Sequence, residues 1–205
     1  MKNFILLLTV ILIAISCKDK EPQILETSIP AAENAQEAAY WTLENLGTEI
    51  RNGSYKNTYH DLDMNEASMN FEEGTVTRKV LFLGEGTSDE LLISFEDGAA
   101  YKIYVSNRGR WRLENGIQIG TSLEKLNEIN GTNVKFAGFE WDNSGYVLFE
   151  NGAIDKDRYS ISLSPNYDDI PQDAVTEFLG STIYDSASPN VENLQLYVDR
   201  MIYKF

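Results

Sequence analysis

Trp41-Thr42-Leu43-Glu44-Asn45 returns seventy residues later as Trp111-Arg112-Leu113-Glu114-Asn115, identical at four of five positions, so the chain carries an internal repeat. Downstream, Ile50-Arg51-Asn52-Gly53-Ser54 matches Ile117-Gln118-Ile119-Gly120-Thr121. In each copy a glycine turn is followed by a hydroxyl side chain, Ser54 or Thr121, suited to capping a helix. The second helix is predicted over residues 122–129, with Leu123, Leu126 and Ile129 on one face and Asn130-Gly131 as its stop. The first is a cruder relative carrying Tyr55 and Tyr59 on its face. Apolar strands with acidic glycine endings follow, Leu92-Ile93-Ser94-Phe95-Glu96-Asp97-Gly98 and Tyr146-Val147-Leu148-Phe149-Glu150-Asn151-Gly152. The first copy also holds a longer hairpin, Val76 to Leu83 and the turn Gly84-Glu85-Gly86-Thr87.

Each copy therefore reads as a short helix on an antiparallel sheet, and two such units together bury what one could not. The predicted fold is α+β, with tandem units over 35–105 and 106–205. Trp41 and Trp111, like Gly53 and Gly120, are expected at equivalent places. Residues 35–46 stay open between a helix, from their Ala and Glu content, and a strand, from Tyr40-Trp41-Thr42-Leu43. In the tail, Tyr159–Leu163 alternates as a strand. Pro171–Leu179 opens and closes as a short helix before Gly180, and Leu194–Phe205 is a last strand that docks the C-terminus.

Composition narrows the function. The 205 residues are 42% hydrophobic and 11% aromatic, enough to bury a core. Seventeen basic residues stand against 32 acidic ones, a net charge of −15, which argues against a nucleic-acid partner because phosphate neutralisation needs a dense basic face. One Cys and one His leave no ligand set for a Cys/His zinc site and no spare parts for thiol-imidazole catalysis. No cofactor and no metal are expected.

The N-terminus points to a compartment. Lys2 precedes an apolar run from Phe4 to Ile15 that is too short for a bilayer, for which about 20 residues are needed. The run ends at Ser16-Cys17 and meets Lys18-Asp19-Lys20-Glu21, as a secretory signal does at its cleavage site. Ala14-Ile15-Ser16-Cys17 resembles the bacterial lipobox. That resemblance implies removal of residues 1–16 and lipidation of Cys17, with residues 17–34 as a tether. The mature chain would hold 16 basic and 32 acidic residues, so the lipid and not surface charge would hold it at the membrane. Lys18 after the cysteine implies the outer membrane, with the body facing the periplasm or the cell surface.

The run Gly120-Thr121-Ser122-Leu123-x-x-Leu126-x-x-x-Asn130-Gly131, with Phe136-x-Gly138-Phe139-x-Trp141-Asp142-x-x-Gly145, resembles an uncharacterised family of Bacteroidota lipoproteins over about residues 41–152. More distantly, the Gly-x-Ser/Thr helix leading into antiparallel strands is similar to the small lipoprotein of the barrel-assembly machine and to β-lactamase inhibitor proteins. These resemblances carry over no catalytic residue and imply a binding scaffold.

Candidate sites are few. Asp61-x-Asp63-x-Asn65 with Glu72 has the oxygen spacing of a calcium loop, but Glu66 stands where its sharp turn needs glycine, so a solvated loop is expected. His60 beside Asp61 reads as a helix-end or surface histidine. Asp155, Asp157, Asp168, Asp169 and Asp173 show no ligand geometry in their spacing. Trp141-Asp142-Asn143-Ser144-Gly145 reads as a hairpin turn with a buried or half-buried Trp141; as a site, it offers Trp141 and Asp142 for ligand contact. The expectation is a binding module for a protein or carbohydrate partner; the alternative is an envelope hydrolase using two carboxylates.

Overall fold

The computed structural model describes residues 31–205. The signal peptide 1–16 and Cys17 lie outside the described residues. So does the tether up to residue 30; its last four residues, rich in Ala and Glu, open the first helix instead. The order is α1 (Ala31–Tyr40), α2 (Leu43–Asn52), α3 (Tyr55–Thr58), β1 (Met64–Phe71), β2 (Val76–Leu83), β3 (Leu91–Glu96) and β4 (Ala99–Val105). There follow α4 (Leu123–Asn130), β5 (Lys135–Ala137), β6 (Val147–Leu148), β7 (Tyr159–Ser164), β8 (Ile183–Asp185) and β9 (Tyr197–Lys204). Helices and antiparallel sheets together make the fold α+β, as expected.

Residues 35–46, left open in the sequence, are helical on both sides of a break at Trp41-Thr42. The break arises because Thr42 adopts an extended backbone and its hydroxyl accepts from Asn45 N at 3.2 Å, starting α2 afresh. Leu43, Leu46 and Gly47 form the buried stripe of α2. A β-carbon on Gly47 would lie 2.9 Å from Tyr203 Cε1, so the helix approaches β9 as closely as a glycine allows.

Six strands form one antiparallel sheet in the order β1-β2-β3-β4-β9-β7. Hairpins explain the first four. The last strand in the chain then enters the middle, pairing Ile103 with Tyr203 on one side and Ile161 with Met201 on the other. Residues of both expected units, 35–105 and 106–205, thus share one sheet and one hydrophobic cluster, from Leu43 and Ile93 to Phe136, Val175 and Val198. A smaller sheet, β6-β5-β8, joins the β7 edge where Leu163 N donates to Gly145 O at 2.9 Å.

The repeat takes a different form from the one expected. Its two copies touch: Arg112 N donates to Trp41 O at 3.0 Å, Leu43 N donates to Arg112 O at 2.9 Å, and the Trp41 and Trp111 rings meet edge to face at 4.9 Å. Glu44 starts a helix, whereas Glu114 precedes the turn at Gly116, so the same letters adopt different structures. The helices that do correspond are α2 and α4. Thr42-Leu43-Glu44-x-Leu46 matches Ser122-Leu123-Glu124-x-Leu126, and both helices end on a left-handed glycine, Gly53 at φ 72° and Gly131 at φ 75°. Gly53 is therefore the counterpart of Gly131, not of Gly120.

Other local expectations are corrected too. The cap of α4 is Ser122, whose hydroxyl accepts from Lys125 N; Thr121 is occupied with Gln118 N. Ser54 makes no capping bond to α3 and donates instead to Glu49. Residues 64–71, the body of the possible calcium loop, are the edge strand β1, which holds Asp61 and Glu72 at its opposite ends. The strand propensity of Val76–Leu83, paired along its full length with β1, outweighs the loop pattern.

Candidate functional site

The loop after β5 is built on close backbone approach. A β-carbon on Gly138 would lie 2.5 Å from the carbonyl oxygens of both Phe178 and Gly180, so only glycine lets the 178–182 segment pass there. Gly138 N donates to Thr182 O at 2.8 Å and Phe139 N to Phe178 O at 2.9 Å, while the Phe139 ring sinks into the core. The chain then reverses through Glu140, at φ 63°, and Gly145, at φ 65° and packed on the Leu163 carbonyl.

Four bonds hold this turn: Ser144 N to Trp141 O at 2.8 Å, Tyr146 N to Asn143 O at 2.9 Å, Gly145 N to Gly138 O at 3.2 Å, and Glu140 N to Ser144 Oγ at 3.3 Å. The expected hairpin turn at 141–145 is present. Trp141, expected buried or half-buried, is 66% exposed, because every residue of the tight turn from Trp141 to Ser144 faces solvent and Phe139 already fills the core position. Tyr146 and Ile183 beside it are 40% and 47% exposed. Together with Asp142, Asn143 and Ser181 they line an open groove of about 370 Å³. Large apolar groups gathered on one face are the informative exception on a protein surface.

Behind the turn, Tyr167 donates to Glu140 Oε1 at 2.9 Å. Burial and that carboxylate push the Tyr167 hydroxyl up to about 12, so it stays a donor at neutral pH.

The other acids are spent or dispersed. Asp61 accepts from Tyr40 Oη at 3.1 Å and Asn65 donates to Glu85. Glu72 pairs with Arg78. His60, exposed at the end of α3, bonds the Asn57 carbonyl through Nδ1 at 2.9 Å. Asp155 closes its own turn by accepting from Asp157 N and Arg158 N. Asp168, Asp169 and Asp173 are solvent-exposed. Among the described residues no cluster of three or more His, Cys, Asp or Glu is placed to hold a metal ion. Among the described residues Glu44 is the one carboxylate whose pKa is raised, chiefly by burial and against the pull of its hydrogen bonds. Both its oxygens are occupied, by Tyr159 Oη at 2.6 Å and by Glu114 N at 3.0 Å, which makes it a clamp between the repeat copies.

One cleft had no signal in the sequence. Between α4 and residues 191–197 lies a cavity of about 830 Å³ lined by Arg108, Asn127, Asn133, Gln195 and Tyr197. The Arg108 guanidinium sits 4.8 Å from the centre of the Tyr197 ring. Its walls come from four separated stretches of chain, at Arg108, Gly120–Asn133, Asn166 and Ser186–Tyr197, and no local spacing marks them.

Among the described residues no helix is long and apolar enough to cross a membrane. No family model matches the chain, and no curated protein matches it. Among solved structures it is similar to the uncharacterized protein yfeY from Escherichia coli, at 12% identity and a TM-score of 0.41, over 73% of this chain and 88% of that one. A likeness that distant passes no function to this chain.

Proposed function

We propose that the protein is a lipid-anchored component of the outer membrane, its body facing the periplasm or the surface, that works by binding a protein or carbohydrate. The observation that carries the reading is the exposure of Trp141, with Tyr146 and Ile183, around an open groove on a turn fixed by four hydrogen bonds. A rigid aromatic anchor gives contact area at small entropic cost, which is why Trp and Tyr dominate binding hot spots. The N-terminal Ala14-Ile15-Ser16-Cys17 supports the anchor.

The hydrolase alternative draws no support from Glu44, whose two oxygens are both engaged inside the fold. Two comparisons test the proposal. Cells labelled with a fatty-acid analogue incorporate it into the wild-type chain and not into Cys17→Ala; equal label in both ends the anchor. Pull-down from envelope extracts with the full chain retains a component that Trp141→Ala loses and Glu124→Gln, which lies outside the groove lining, keeps. Equal retention by Trp141→Ala ends the assignment of the surface.

A further inference from the structure

We propose that the groove beside Trp141 receives a neutral saccharide, one hexopyranose ring stacked on the indole; this rests on the reading of that face as the contact surface. The apolar half of the site is the exposed indole, flanked by Tyr146 and Ile183. The face of an aromatic ring carries partial negative charge and attracts the C–H groups of a pyranose face.

The polar half is made of unspent groups. The Trp141 indole N–H, the Asp142 carboxylate, the Asn143 amide and the Ser181 and Tyr146 hydroxyls make no hydrogen bond to other side chains or backbone among the described residues. The buried Trp111 differs: its indole N–H donates to Asp89 O at 2.7 Å. A flat apolar surface with a carboxylate and an amide at its edge matches a ring that is apolar on its face and hydroxyl-bearing at its rim. Two neighbouring hydroxyls donate to the Asp142 oxygens, and the Asn143 amide donates to a ring or hydroxyl oxygen.

Charge selects among ligands. The groove lining contains no Lys or Arg, Asp142 stands on it, Glu140 adjoins it, and the whole chain carries −15. A phosphate headgroup or a uronic acid would enter without a counter-charge. A wholly apolar partner would bury the Asp142 carboxylate unpaired, at a cost sugar hydroxyls avoid.

Tryptophan fluorescence isolates the site, because Trp41 and Trp111 are 2% and 1% exposed and only Trp141 meets solvent. The full chain, held in a non-glycosidic detergent, is titrated with an array of neutral hexose oligosaccharides, cellotetraose and maltotetraose among them, and with trigalacturonic acid. The expected result is a saturable shift of the emission to shorter wavelength with a neutral member of the array. Trp141→Ala, read by calorimetry, abolishes binding, and Asp142→Ala weakens it by about tenfold or more, as for a lost charge-assisted hydrogen bond. Trigalacturonic acid binds more weakly than the best neutral ligand. The proposal is overturned if no neutral saccharide binds, if binding survives Trp141→Ala, or if trigalacturonic acid binds more tightly. Retention of an envelope protein that depends on Trp141, with no saccharide bound, would sink the saccharide and leave the contact surface standing. Loss of both would sink both.

Discussion

Asp89 shows how single side chains tie this fold together. Its carboxylate accepts from Arg110 N at 2.7 Å, Arg110 Nε at 3.0 Å and Arg110 Nη2 at 2.7 Å, and the same guanidinium lies 3.7 Å from the centre of the Trp41 ring. Burial alone would raise the acid; the Arg110 bonds outweigh it and hold Asp89 below its ordinary value of 3.8. A depressed folded pKa contributes stability above the unfolded value and loses it as pH falls through the folded one. Asp89→Asn should therefore cost about 2 kcal/mol in denaturant unfolding at pH 7 and progressively less as the pH is taken below about 3.8. Gly145→Ala should cost about 2 kcal/mol or more, since the new β-carbon would strike the Leu163 carbonyl at a left-handed backbone position. Denaturant unfolding of the two variants checks both, and a cost independent of pH for Asp89→Asn would refute the pairing with Arg110.

Helix α4 tests the assignment of caps. With Ser122 accepting from Lys125 N, Ser122→Ala should lower stability by about 1 kcal/mol, and Glu124→Gln on the exposed face by under about 0.5 kcal/mol, measured by urea unfolding. Gly131→Ala, with nothing within 4 Å of the new β-carbon but φ at 75°, should cost about 1 kcal/mol from backbone strain alone. These elements were largely legible. The i, i+3 spacing of Leu123 and Leu126, the Asn-Gly stop and the alternation of Tyr159 to Leu163 follow from local chemistry. What misled was letter identity: Leu-Glu-Asn starts α2 after Thr42 but enters a turn at Asn115-Gly116, because the helix needs a cap and a following apolar stripe that only the first copy supplies. The acid spacing from Asp61 to Glu72 misled for a related reason, since strand pairing decided β1 and local sequence does not display a partner.

For the whole molecule, β9 is the keystone. It pairs with β4 and β7 at once, so deleting residues 197–205 exposes Ile103, Tyr159 and Ile161 and should abolish the folded state rather than free one half. Limited proteolysis and circular dichroism check this; a stable core over 35–105 alone would contradict it. The sequence offered Trp141 and Asp142 as candidate contacts but did not show the exposure of the indole, because burial depends on Phe139 taking the core position and on the crossing of residues 178–182 at Gly138. The amide-lined cleft at Arg108 was invisible for the same long-range reason. We propose that the Trp141 face is where this protein meets its partner. The decisive measurement keeps Trp141 intact and places a photo-reactive phenylalanine analogue at Ile183, in the same groove and 47% exposed, in the full chain in living cells, with the same group at the exposed Glu124 as control. A single defined adduct at 183 and none at 124 is the predicted result; equal labelling at both positions, or none at 183, would contradict it.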